Sequence, residues 1–158
     1  MRSIQQGKSV GKNVKILIVD DDDDLKELLV SILENEGFFI ETARTGLEAI
    51  SKVKVEYFNV ALLDIKLPDM TGIELLSKIN IITPRTKKLI LTGFPDASSA
   101  IRAVNEKADA YLVKPFDPFE LITLIEEHLD QQREELKYTQ EKVLKYIHNR
   151  VKELDNNQ

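Results

Sequence analysis

From position 14 to about position 129, two kinds of segment alternate along the chain. Short apolar runs rich in branched residues, at 14–19, 38–42, 60–63, 88–92 and 110–113, predict strands. The first and third are almost wholly apolar, as strands buried on both faces of a sheet are. Between the runs, apolar residues recur at intervals of three and four. Leu25, Leu28, Leu29, Ile32 and Leu33 form one helical stripe, closed by Gly37 as a helix stop. Leu47, Ile50 and Val53 mark a second helix, Ile73, Leu75, Leu76 and Ile79 a third, Ile101 and Val104 a fourth, and Phe119, Ile122 and Ile125 begin a fifth. Five βα units joined by right-handed crossovers predict a doubly wound α/β fold with a parallel sheet, which binds ligands at the carboxyl ends of its strands.

The alternation covers 14–129 and defines one domain, the usual content of a chain of 158 residues. Residues 1–13 are polar, carry Arg2, Lys8 and Lys12, lack the apolar stretch of a secretory signal, and are expected to be a disordered lead-in. No run approaches the roughly 18 apolar residues of a membrane helix. The absence of cysteine excludes disulfides and thiolate chemistry and suits a reducing compartment, so a cytoplasmic location is expected. A net charge of −5, with basic residues scattered among the helices, predicts no direct nucleic-acid contact. Past Leu129, no glycine or proline interrupts the chain from Phe119 to Gln158, which predicts one helix reaching to about Leu154, roughly 54 Å long. Leu129, Leu136, Val143 and Arg150 repeat every seven residues with Ile147 and Leu154 at the complementary offset, while Arg133 and Gln140 interrupt that second seam. The extension, 130–158, is thus a candidate coiled coil that dimerises, packs back on its domain or docks a partner, or else a mostly frayed tail.

The strand ends carry the candidate chemistry. The first strand runs into Asp20, Asp21, Asp22, Asp23 and Asp24, at the turn where a dinucleotide-binding fold would place glycines. Carboxylates gathered to about 4 Å repel by roughly 4 kcal/mol per pair at a surface-like dielectric, so the cluster demands a cation or protons. Oxygen-only ligation points to magnesium. The third strand ends at Asp64, the fourth at Thr92 and the fifth at Lys114. A carboxylate nucleophile, a divalent cation, a hydroxyl and an ammonium on one edge are what phosphoryl transfer to an acyl oxygen requires, because that reaction needs positioning and charge neutralisation.

Val19-Asp20-Asp21, Leu63-Asp64 with the following Leu67-Pro68-Asp69-Met70-Thr71-Gly72, Leu91-Thr92-Gly93 and Tyr111-Leu112-Val113-Lys114-Pro115-Phe116 together resemble the response-regulator receiver family, over about residues 14–129. The resemblance implies a flavodoxin-like five-stranded sheet of order 2-1-3-4-5 and a phosphoacceptor of two-component signalling. By that resemblance the domain is expected to take a phosphoryl group from a sensor histidine kinase and to signal to a downstream protein rather than turn over substrate. It makes Asp64 the phosphoacceptor, with Thr92 and Lys114 contacting the phosphoryl group. It makes Asp21 and Asp64 direct magnesium ligands, Asp20 a ligand through water, and the Lys66 carbonyl a backbone ligand. It also implies a cis peptide at Lys114-Pro115, switch positions at Tyr111 and Phe94, and output through the fourth helix, fifth strand and fifth helix. Asp22 to Asp24 read as a cap and acidic first turn.

Three positions depart from the family pattern. Lys66 and Phe94, two residues after the Asp and the Thr, supply neither carboxylate nor amide to orient a hydrolytic water, so slow self-dephosphorylation is expected. Lys107 stands where the family has glycine, and a left-handed turn there costs an L-residue roughly 1 kcal/mol, which predicts a differently shaped loop. His128 and His148 read as helix-surface residues. Two other functions compete. Haloacid-dehalogenase-like phosphohydrolases also place an Asp, a Thr and a Lys at strand ends, but resemble one another in a second Asp two residues after the nucleophile, where this chain has Lys66. An unphosphorylated dimeric scaffold would not need Asp20, Asp21, Asp64, Thr92 and Lys114 together.

Overall fold

The computed structural model describes residues 13–93 and 95–157. Five strands, β1 (Lys15–Val19), β2 (Phe39–Ala43), β3 (Val60–Asp64), β4 (Lys87–Thr92) and β5 (Ala110–Val113), alternate with five helices, α1 (Asp23–Asn35), α2 (Gly46–Val55), α3 (Gly72–Ile82), α4 (Ala97–Asn105) and α5 (Pro118–Asn156). The strands form one parallel sheet in the order β2-β1-β3-β4-β5. The expected strands differ by single residues at their ends: β1 starts one residue later, β2 starts and ends one residue later, β3 includes Asp64, and β4 starts one residue earlier. The expected lead-in lies outside the described residues apart from Asn13.

Alternate strand residues feed two cores. Ile16, Ile18, Leu62, Leu89 and Leu91 face α1 and α5, where Leu29, Leu33, Leu121, Ile125 and Leu129 complete one layer. Leu17, Val19, Leu63 and Ile90 face the opposite side and pack on Ala49, Val53, Ile73, Leu76, Ile79 and Ala103. Each helix begins at a side-chain cap, namely Asp22, Thr45, Thr71, Asp96 or Asp117, whose oxygen accepts a backbone N–H of the first turn. Asp22 is therefore the cap, and Asp23 and Asp24 the acidic first turn, that their position suggested. Gly37, at φ 95, takes the left-handed conformation that closes α1.

Four expectations are corrected. The Ile101 and Val104 stripe of α4 does not face the core: those residues are 59% and 72% exposed, and only Ala103 of that helix is buried. Leu28, Leu47 and Phe119 likewise point outward, because a helix packed on a sheet buries a narrower stripe than its apolar content suggests. Lys107 keeps the left-handed turn at φ 63, the neighbouring backbone bonds from Lys107 N–H to Val104 and from Ala108 N–H to Ala103 holding the chain there. His128 is buried rather than on the helix surface, its Nδ1 lying 2.8 Å from the Leu124 carbonyl oxygen and its Nε2 3.2 Å from that of Asp109.

Candidate phosphoacceptor site

Strand register places the chemistry. Val19 pairs with Leu63, Asp64 with Leu91, and Thr92 with Val113, so Asp20, Asp64, Thr92 and Lys114 reach the carboxyl edge of three adjacent strands and the turn after β1. Backbone bonds fix the two residues beyond the strands: Asp20 N–H donates to the Ala43 carbonyl at 3.1 Å and Lys114 N–H to the Thr92 carbonyl at 2.7 Å. The Lys114-Pro115 peptide is cis. Asp20 is 3% exposed; its Oδ1 accepts from Asp22 N–H at 2.9 Å, and its Oδ2 lies 2.8 Å from Lys114 Nζ. The same Nζ stands 3.7 Å from Asp64 Oδ1, so one ammonium bridges two carboxylates. Thr92 is fully buried beside them.

Oxygens of Asp20, Asp21 and Asp64 lie within 4.8 Å of one another. That all-oxygen set suits a hard divalent cation such as magnesium. A single lysine does not neutralise it, and the consequence is visible in Asp64, whose carboxyl is pushed up to about 6. Burial is the main cause, followed by the charge of Asp20; Lys114 and a backbone hydrogen bond from Lys66 act in the opposite direction. The remaining acidic residues of the run, Asp22 to Asp24, are outside this group, and Asp23 instead pairs with Arg44 at 2.7 Å and Lys26 at 3.3 Å.

The loop after β3 is built to present Asp64. Lys66 and Thr71 form an isolated antiparallel bridge, and Gly72 N–H donates to the Ile65 carbonyl at 2.7 Å. A Cβ on Gly72 would come 2.1 Å from the Asp64 carbonyl oxygen, so the start of α3 approaches the Asp64 backbone as only glycine permits. Asp69 has a structural role that sequence reasoning left unassigned: its two carboxylate oxygens each accept a backbone N–H at the start of α2, from Gly46 and Leu47, both at 2.9 Å. The only sequence signal for this is an acidic residue on a Pro-containing loop, which does not say which helix it caps. Of the expected switch residues, Tyr111 is half-buried on β5 with its hydroxyl buried and, among the described residues, without a close hydrogen-bond partner, while Phe94 lies outside the described residues. Burial, and then the charge of Asp96, raise the Tyr111 phenol above its ordinary range.

Comparison with known proteins agrees with this arrangement. A family model described as the response regulator receiver domain matches residues 16–126. The chain is 35% identical over 123 residues to the transcriptional regulatory protein ZraR of Klebsiella oxytoca, covering 78% of this chain and 28% of that one. It is 40% identical over 111 residues to the CpxR homolog of Haemophilus influenzae, covering 70% and 48% respectively. The chain thus spans less than half the length of these relatives. Among solved structures, a CheY-like response regulator receiver domain protein from Methanospirillum hungatei superposes with a TM-score of 0.76 at 44% identity, covering 77% of this chain and 98% of that one.

Proposed function

Because the chain belongs to the response-regulator receiver family, we propose that it is a magnesium-dependent phosphoacceptor of a two-component system, with Asp64 as the residue that takes the phosphoryl group. The observation that carries this reading is the convergence of Asp64 with Asp20 and Asp21 within 4.8 Å and with Lys114 Nζ at 3.7 Å, on an edge that also holds Thr92. In the proposed step the phosphoryl group leaves an imidazole nitrogen of the kinase's phosphohistidine, the N–P bond breaking as a bond forms from an Asp64 carboxylate oxygen to phosphorus. Asp64 acts as the unprotonated nucleophile. Asp20, Asp21, Asp64 and the Lys66 carbonyl would hold magnesium, which neutralises the clustered carboxylates and the incoming oxygens.

Phosphorylation adds about 1.5 to 2 negative charges and three acceptor oxygens at Asp64. Lys114, already suspended between Asp20 and Asp64, turns to the new oxygens, and the Thr92 hydroxyl follows. Tyr111 then moves inward as the switch residue, a step its half-buried ring and buried hydroxyl favour. The downstream partner is a protein rather than nucleic acid, and it docks on the apolar surface of Ile101, Val104, Val113 and Phe119, which the fold leaves exposed on α4, β5 and α5. Lys66 and Phe94, which supply neither a carboxylate nor an amide to orient a hydrolytic water, make the phosphoryl group long-lived. The role is signalling in the cytoplasm, not turnover.

Incubating the full chain with magnesium and acetyl phosphate, followed by intact-mass analysis, tests the reading. One phosphoryl adduct is expected, absent from Asp64→Asn and from samples with chelator. An adduct that persists in Asp64→Asn overturns it, and so does rapid donor hydrolysis without an adduct, which the phosphohydrolase reading predicts.

A further inference from the structure

None of the last 27 residues of α5 is fully buried: the buried residues of this helix end at Leu129, yet it continues to Asn156. The extension is still strongly patterned. Leu136, Val143, Leu144, Ile147, Val151 and Leu154 are 42% to 66% exposed and lie along one side. Leu136 to Ile147 and Val143 to Leu154 are each eleven residues apart, the repeat of about 3.67 per turn that stays on one face of a nearly straight helix.

The direction of that face is set by the domain. Eighteen residues make about five complete turns, so Val143 and Ile147 lie in line with Ile125 and Leu129, which are buried against the sheet. The exposed stripe therefore faces the side of α5 on which its own domain sits. A second helix packed on the stripe in parallel, at the usual 8–10 Å, would run back into the space the sheet occupies. An antiparallel helix runs the other way and ends at the base of the domain. There a cleft of about 570 Å³, lined by Tyr57, Arg85, Gln132, Arg133 and Leu136 among others, lies beside the departing helix. Between residues 130 and 157 the extension has six acidic and six basic side chains, a balance that selects neither an anionic lipid surface nor a strongly charged peptide, but suits a copy of itself.

We propose that α5 pairs with the same helix of a second copy in an antiparallel dimer, with Leu136 against Leu154 and Val143 against Ile147 of the other chain. In this register Lys137 faces Asp155 of the second copy, Glu141 faces its His148, and the segment around Glu153 and Asp155 reaches the cleft at Arg85 and Arg133. Opposed macrodipoles add to the preference. The arrangement goes beyond phosphoacceptance and does not depend on it.

The chain has no cysteine, so disulfide trapping reports the geometry directly. Sedimentation of the full chain across the micromolar range is expected to show a monomer–dimer equilibrium, shifted to monomer by Ile147→Asp, a substitution at an exposed position that leaves the circular dichroism of the domain unchanged. A mixture of Leu136→Cys and Leu154→Cys chains is expected to form a disulfide-linked heterodimer several-fold faster than either variant alone or than Lys145→Cys, which lies on the outer side. The same result is expected in the Asp64→Asn background. Self-linking of Leu136→Cys as fast as the mixture, the mark of a parallel pair, overturns the proposal, as does a wild-type chain that stays monomeric throughout.

Discussion

Asp64 is asked to be charged in a place that penalises charge. Its carboxyl titrates near 3.8 ordinarily and about 6 in the fold, because it is buried next to Asp20. Between those values the native chain holds a proton that the unfolded chain has lost, so stability falls as pH rises through the window; the penalty is complete above about pH 6 and gone below 3.8. Two pH units correspond to about 3 kcal/mol at most, and residual solvent access lowers this to roughly 1–2 kcal/mol. In chelator, Asp64→Asn is therefore expected to melt above the wild type at neutral pH, with the gap closing toward pH 4; an equal or lower melting temperature at neutral pH contradicts the account. Lys114→Met removes the ammonium from two neighbouring carboxylates, one of them 3% exposed, and is expected to cost about 1–3 kcal/mol in chelator. Magnesium should recover much of that loss, which paired thermal melts would show. These residues were legible in the sequence because each is the polar residue that ends or follows an apolar strand. His128 was not, since its burial depends on the Asp109 carbonyl, nineteen positions away.

At the level of elements, the loop between β3 and α3 does two separable jobs. Gly72→Ala forces the start of α3 away from the Asp64 carbonyl oxygen, 2.1 Å from the added carbon. Backbone, unlike a side-chain tip, cannot swing aside, so the expected cost is about 1–3 kcal/mol together with a loss of phosphorylation rate. Asp69→Ala instead removes the double cap from α2, with an expected cost of about 1–2 kcal/mol in urea denaturation and a phosphorylation rate near that of wild type. Equal effects of both substitutions on the rate would show that the loop is a single unit. Strand existence followed from apolar runs, since central parallel strands are buried on both faces, whereas the strand order was implied only by the resemblance to the receiver family. Helix orientation was harder: α3 buries Ile73, Leu75, Leu76 and Ile79 as its pattern suggests, but α4 turns Ile101 and Val104 to solvent. Periodicity gives a stripe and not the surface that covers it, and in α4 the stripe belongs to a docking surface in the proposed reading. The left-handed Lys107 shows the same limit, because a local cost of about 1 kcal/mol is overridden by tertiary bonds the sequence does not display.

Across the whole molecule, the core and the tail are nearly independent. Both hydrophobic clusters are complete by Leu129, and the extension is tied to the domain chiefly through Gln132, which donates to the Asn59 and Arg85 carbonyls at 3.0 and 2.7 Å, and Glu135, which pairs with Lys87 at 2.9 Å. A chain shortened after Gln140 keeps these ties and is expected to melt within a few degrees of the full chain at concentrations where both are monomeric. A much larger loss would mean that the extension stabilises the receiver itself. The length of α5 was readable from the unbroken run of helix formers, whereas the side it presents became readable only once the sheet fixed the buried end of the helix. The central claim, that this edge of the sheet accepts a phosphoryl group on Asp64, is tested most directly by borohydride trapping. Reduction of an aspartyl phosphate leaves homoserine, so chain treated with magnesium and acetyl phosphate, reduced and mapped by peptide mass analysis is predicted to carry homoserine at position 64 and nowhere else. Modification at Asp20 or Asp21 instead, or none in chain that carries a phosphoryl adduct, would contradict it.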